Sequence, residues 1–152
     1  MGLVFSGSGR VAAAEPDLGQ VMISVGRLLE HGHYSRRKLD DAVSKQLLTN
    51  YLDALDYNHL FFTQKDVDQF TKKYETSLDD DIVLGNTDST FAIYDLYKQR
   101  VTARIAKAKD VVKQEFDFKG DGTLEINRQK APWPKDDAEA DQIGRASCRE
   151  RV

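Results

Sequence analysis

The run Asp88-Ser89-Thr90-Phe91-Ala92-Ile93-Tyr94-Asp95-Leu96-Tyr97-Lys98-Gln99-Arg100-Val101-Thr102-Ala103-Arg104-Ile105-Ala106-Lys107-Ala108-Lys109-Asp110-Val111-Val112-Lys113-Gln114-Glu115 decides the fold class. Phe91, Tyr94, Tyr97, Val101, Ile105, Ala108 and Val112 recur at steps of three or four, the period of a helix with one apolar face. At 1.5 Å per residue such a helix would be roughly 40 Å long, more than a small domain is wide. It is expected to act as a spine that reaches beyond its own bundle.

Working outward, the preceding segments carry the same period. Asp17 can cap a helix with Gln20 three residues on. Val21, Met22, Val25, Leu28 and Leu29 then form a stripe that ends at Gly32. A second helix should start at Asp40 or Asp41 and run to about Leu55, with Val43, Leu47, Leu48, Tyr51, Leu52 and Leu55 on one face. Asp56-Tyr57-Asn58-His59-Leu60-Phe61-Phe62 breaks the period and is rich in rings, so it reads as a turn tucked back into the core. Thr63 can cap a third helix with Val67, Phe70 and Tyr74 inside, fading by Leu78. Asp79-Asp80-Asp81 and Gly85-Asn86 read as a loop, because a like-charge run followed by turn residues resists burial.

Downstream of the spine, Gly120 and Gly122 mark a turn, followed by Arg128-Gln129-Lys130-Ala131-Pro132-Trp133-Pro134. Proline fixes its own φ and biases the residue before it towards extended backbone, so Ala131 and Trp133 should lie in a stiff strap carrying one large anchor ring. From Asp136 an acid-rich helix begins. The fold expected is therefore all-α: an irregular helical bundle of four to five helices with one long helix and an extended Pro-Trp-Pro strap.

The 152 residues carry 22 basic and 25 acidic side chains, with 40% hydrophobic and 31% charged residues. No apolar run approaches membrane-spanning length, so no membrane span is expected. The last ten residues, Ile143 to Val152, resemble a translated sequencing-adapter oligonucleotide and are read as a non-native tail. Setting them aside removes three of the 22 basic and one of the 25 acidic residues, which leaves 19 against 24, a net charge of −5. The single cysteine, Cys148, goes with them, so no disulfide framework or thiolate metal site is expected. The acidic balance argues against a nucleic-acid partner, since no basic stripe is present to neutralise phosphates. Near the start, Val11-Ala12-Ala13-Ala14 before Glu15 has the small-residue pattern of a signal-peptidase site, although Leu3-Val4-Phe5 is too short for an apolar signal core. Residues 1–14 are read as a remnant of a signal peptide or leader, 15–142 as a truncated helical domain and 143–152 as the added tail.

Each group that might carry chemistry has a plainer reading. Asp117-Phe118-Lys119-Gly120-Asp121-Gly122 resembles a calcium loop but places Lys119 at the third ligand position and Arg128 at the twelfth, where a bidentate glutamate is needed. His31, His33 and His59 lack cysteine partners and the His-Glu-x-x-His spacing of a zinc site. Ser6-Gly7-Ser8-Gly9 lies upstream of the cleavage pattern and forms no nucleophile elbow. Ser44 and Lys45 are adjacent on a helix and cannot face each other as a dyad. Asp79-Asp80-Asp81 is better read as solvated than as a cation site. No catalytic, cofactor-binding or metal residue is assigned, and no cofactor is expected.

His33-Tyr34, Leu39-Asp40-Asp41, Tyr51-Leu52-Asp53-Ala54-Leu55-Asp56-Tyr57, Asp66-Val67-Asp68-Gln69-Phe70, Tyr94-Asp95-Leu96-Tyr97, Phe116-Asp117-Phe118 and Arg128 to Pro134 together resemble the N-terminal helical region of bacterial tail-specific, or C-terminal processing, serine proteases. The likeness spans about residues 21–142, and the Pro-Trp-Pro run is its most specific part. The resemblance implies a periplasmic endopeptidase acting on protein C-termini through a serine–lysine dyad. It also implies that the residues of that dyad lie outside this chain. Its implied partners are the PDZ and protease domains of the same polypeptide and protein substrates or an adaptor protein. The rival reading is a stand-alone helical protein-interaction adaptor.

Overall fold

A computed structural model describes residues 16–34, 37–114 and 127–149. Among them are six helices: α1 (Leu18–His31), α2 (Asp41–Leu55), α3 (Gln64–Tyr74), α4 (Leu78–Leu84), α5 (Asp88–Val111) and α6 (Asp137–Arg149). The calcium-like segment at 117–122 and the serine-glycine segment at 6–9 lie outside the described residues.

The helix starts are built as the capping residues require. Asp17 accepts the Gln20 amide at 3.2 Å and Asp40 that of Val43 at 3.0 Å. Thr63 and Asp66 close a reciprocal capping box at the head of α3. Each cap satisfies amides that the first helical turn leaves without a partner.

The core gathers Leu48 and Leu52 of α2, Phe70 and Tyr74 of α3, Leu78 of α4, Ile93 of α5, and Phe62 from the turn between α2 and α3. Phe62 and Ile93 are wholly enclosed. Burial of each such side chain contributes about 1.5–3 kcal/mol. Phe62 meets Phe70 edge-on at 5.8 Å, a favoured arrangement of ring quadrupoles.

Three expectations change. Asp79-Asp80-Asp81 is not loop but the first turn of α4, where carboxylates sit favourably at the positive end of the helix dipole. Ser44, fully buried on α2, accepts the Leu78 amide at 2.9 Å and donates to the Tyr74 carbonyl, which stitches α4 onto the end of α3. Gly85 then ends α4 with φ of 70°, a left-handed conformation that L side chains rarely adopt.

Of the expected α1 stripe only Met22 faces inward, since Val21, Val25, Leu28 and Leu29 are all exposed. Half-buried Met22 and Ile23 and buried Gly26 face inward, and α1 packs on α4. The reason is close approach: a Cβ on Gly26 would stand 2.5 Å from Ile82 Cγ2, so only glycine admits this contact.

The spine, α5, has 24 residues rather than about 28; Tyr97, Val101 and Ala108 of the expected stripe are half-buried, and its inner face also takes in Ser89, Ile93, Leu96, Arg100 and Arg104. Phe91, Tyr94, Ile105 and Val112 of the expected stripe are exposed. Helix α6 runs from Asp137 to Arg149, across Ile143, where the tail read as non-native begins.

The turn from Asp56 to Phe62 depends on one side chain. Asp56, 2% exposed, accepts the Leu60 amide at 2.8 Å through Oδ1 and the Phe61 and Phe62 amides at 2.8 and 2.9 Å through Oδ2. Asp56→Ala leaves these amides without their acceptor and is expected to lower unfolding free energy by about 3 kcal/mol or more. A urea midpoint equal to that of the parent chain would refute this.

Candidate functional site

The most elaborate arrangement in the molecule joins the strap to the turn between α2 and α3. Ala131 donates to the Arg128 carbonyl at 2.9 Å, closing a tight turn that leads into Pro132-Trp133-Pro134. Pro134 is fully buried and its carbonyl accepts the Gln64 amide at 2.8 Å. The strap is thereby tied to the first residue of α3. Across the junction, the Tyr57 hydroxyl donates to Gln129 Oε1 at 2.8 Å.

Trp133 is half-buried, packs against the core, and stacks on the His59 ring with centroids 3.6 Å apart and planes inclined by 25°. His59 Nδ1 lies 2.6 Å from the Ala131 carbonyl oxygen, and Nε2 lies 3.5 Å from Asp53 Oδ1. The His59 backbone has φ of 52°, in the left-handed region where histidine is among the tolerated residues. Beside the indole, a cleft of about 200 Å³ opens between α2 and α3, with Leu48, Leu52 and Val67 among its walls. Lys45 and Glu75 pair at 2.6 Å along its margin. Its size suits a single side chain rather than a cofactor.

A second arrangement fixes the helix beyond the strap. Arg100 Nη2 donates to Asp66 Oδ1 at 2.8 Å, while Nη1 reaches Asp137 Oδ1 at 3.0 Å. One turn further along α5, Arg104 pairs with Asp141, and Lys107 meets the other Asp141 oxygen at 2.6 Å. The acids are four apart on α6 and the cations four and three apart on α5, so the two helices zip along facing rows. Asp136 caps α6 by accepting the Glu139 amide at 2.9 Å, and Glu139 reaches back to the Lys135 amide at 2.8 Å.

Burial pushes the Asp66 carboxyl up. The Arg100 guanidinium and the Thr63 amide and hydroxyl outweigh it and hold the group below its ordinary value. The Asp66 hydrogen bond in turn raises Arg100, against a smaller opposing effect of burial. Burial followed by the Asp56 charge raises the Tyr97 phenol.

The candidate residues of the sequence do not converge on a catalytic arrangement. Ser44 is a buried bridge between helices, and its neighbour Lys45 is paired to Glu75. His31 sits at the exposed end of α1 with Nδ1 3.1 Å from the Arg27 carbonyl, His33 lies against Tyr34, and His59 is built into the strap junction. Asp81 accepts from Ser89 at 2.5 Å and from Asn86 at 3.0 Å. Among the described residues, no group of three or more His, Cys, Asp or Glu side chains could hold a metal ion. No described helix is long and apolar enough to cross a membrane. Sequence reasoning missed the roles of Asp56, Asp66, Arg100 and His59; the signal for Asp66 lay in the Thr-x-x-Asp spacing after Phe62.

Residues 25–152 match the family model described as the tail specific protease N-terminal domain. The chain is similar to the tail-specific protease of Haemophilus influenzae, 36% identical over 115 residues, which cover 76% of this chain and 16% of that protein. The chain thus spans about a sixth of the length of the curated relative it matches.

The direction of the Asp66 shift fixes a pH dependence. A carboxyl held low in the folded state contributes stability that is present above its unfolded value and lost as pH falls through the folded value. Asp66→Asn is therefore expected to cost about 1–3 kcal/mol at neutral pH and to reduce the loss of stability on acidification. Urea titrations at neutral and acid pH check both. Parallel pH profiles for parent and variant would contradict the assignment.

Proposed function

The chain belongs to the tail-specific protease N-terminal domain family, and on that premise we propose that it is a non-catalytic helical domain of a periplasmic serine endopeptidase acting on protein C-termini. It serves as scaffold and as docking surface for protein substrates or an adaptor, with the PDZ and protease domains of the same polypeptide as its further partners. The observation that carries this reading is the match over residues 25–152 combined with a relative of which the chain covers only 16%. The domain's geometry supports the scaffold role. Its strap is tied to the bundle at both Ala131 and Pro134, and α6 leaves it under a fixed direction set by Arg100 and Arg104.

The docking role is supported by the outer face of α1. Leu18, Val21, Val25 and Leu28 are between 48% and 66% exposed and succeed one another at steps of three and four along a single side. A contiguous apolar stripe of this kind marks a surface used for contact.

The purified chain is expected to leave a peptide with an apolar C-terminus intact, whereas a longer family protein carrying this domain cleaves it. Turnover of the peptide by the chain alone would overturn the reading. Leu28→Asp in the chain is expected to change stability by less than about 0.5 kcal/mol. The same change in the longer protein should slow cleavage of a folded protein more than cleavage of a short peptide. Equal rates on both substrates would remove the docking role.

A further inference from the structure

We propose that His59 is a proton-operated clamp that fastens the strap to the bundle, closed when both ring nitrogens carry a proton and loosened when Nε2 loses its own. The inference goes beyond the family reading and does not depend on it. It starts from Nδ1, 2.6 Å from the Ala131 carbonyl oxygen. A carbonyl offers only lone pairs, so Nδ1 must be the donor in this contact. In the neutral ring Nε2 then carries a lone pair. That atom is buried without a hydrogen-bond partner among the described residues, and Asp53 Oδ1 stands 3.5 Å away. Two acceptors face each other.

A second proton reverses the contact. Nε2 becomes a donor to a carboxylate, forming a charge-assisted hydrogen bond. The charged ring also lies on the face of the Trp133 indole, which attracts a cation.

The other charged groups near the ring leave its Nε2 to Asp53. In its own turn, both Asp56 oxygens are engaged by backbone amides. From α2 and α3, Lys45 and Glu75 are paired with each other. On the strap, Arg128 and Lys130 precede Ala131 and add positive charge to the segment that the clamp holds. The clamp closes with the second proton on the ring.

The test is a pH titration of the whole chain, reading the His59 ring nitrogens by ¹⁵N NMR and the Gln64 amide by hydrogen exchange. The Gln64 amide donates to the Pro134 carbonyl and so reports the strap, while the Val67 amide, bonded to the Thr63 carbonyl, reports the bundle. As pH rises, Nε2 should lose its proton while Nδ1 keeps its own. Protection of Gln64 should then fall about tenfold relative to Val67. In Asp53→Asn the fall should be clearly smaller, because an amide can accept from a protonated Nε2 or donate to a neutral one, and only the attraction of the indole for the charged ring is then lost. The proposal is overturned if Nδ1 deprotonates first, if Gln64 protection is flat through the titration, if Val67 falls with it, or if Asp53→Asn behaves like the parent.

Discussion

Everything where the strap meets the helices of this domain depends on a buried carboxylate with three backbone amides in its grip. Asp56 ends α2 and at once organises the next residues of the chain, drawing Leu60, Phe61 and Phe62 around its two oxygens. A buried charge is costly unless it is fully hydrogen-bonded, and unpaired buried amides are costly as well, so each side of this contact resolves the difficulty of the other. The result is a rigid turn with a definite exit. Phe62 is delivered into the core, Thr63 is placed to cap α3, and His59 is held with a left-handed backbone beneath the Trp133 ring.

The same logic of paired polar groups continues along α5. Its inner face starts with Ser89 and Ile93 and ends with Arg100 and Arg104, so the helix changes from apolar packing to ionic contact along its length. Asp66 links the two regimes. It belongs to the capping box of α3 and receives Arg100, which also holds Asp137 of α6. The strap lies between these fixed points. Its direction is set by the turn at one end and by the ion pairs at the other, which is a physical reason for a rigid proline-rich connection rather than a flexible one.

Much of this is legible in the sequence. The caps at Asp17, Asp40 and Thr63, the inner face of α2 apart from exposed Leu47, the inner face of α3 and the inward tuck of the aromatic turn all arise from local rules, and the structure has them. The failures share a cause. Asp79-Asp80-Asp81 looks solvated when charge is weighed without the helix dipole and without Ser44 waiting to receive the Leu78 amide. The faces of α1 and α5 are only partly caught by a reading that takes apolar periodicity as the marker of burial. In α1 a glycine marks the buried side, and in α5 arginines extend it.

By itself, the sequence determined the helical class, where α1, α2 and α3 begin, the position of the turn and the stiffness of the strap, since these depend on backbone restriction and on hydrogen bonds only a few residues long. It also carried the family likeness. Tertiary structure alone decided which face of α1 and α5 is inside and that the acidic run is helix. It also decided that His59 meets Trp133, Ala131 and Asp53 at one point. Asp53 is six residues from His59, but the other outcomes rest on partners more than 30 residues away, such as Asp66 for Arg100 and Ala131 for His59. No local pattern encodes such a partner, because the energy that selects it exists only once the helices have packed.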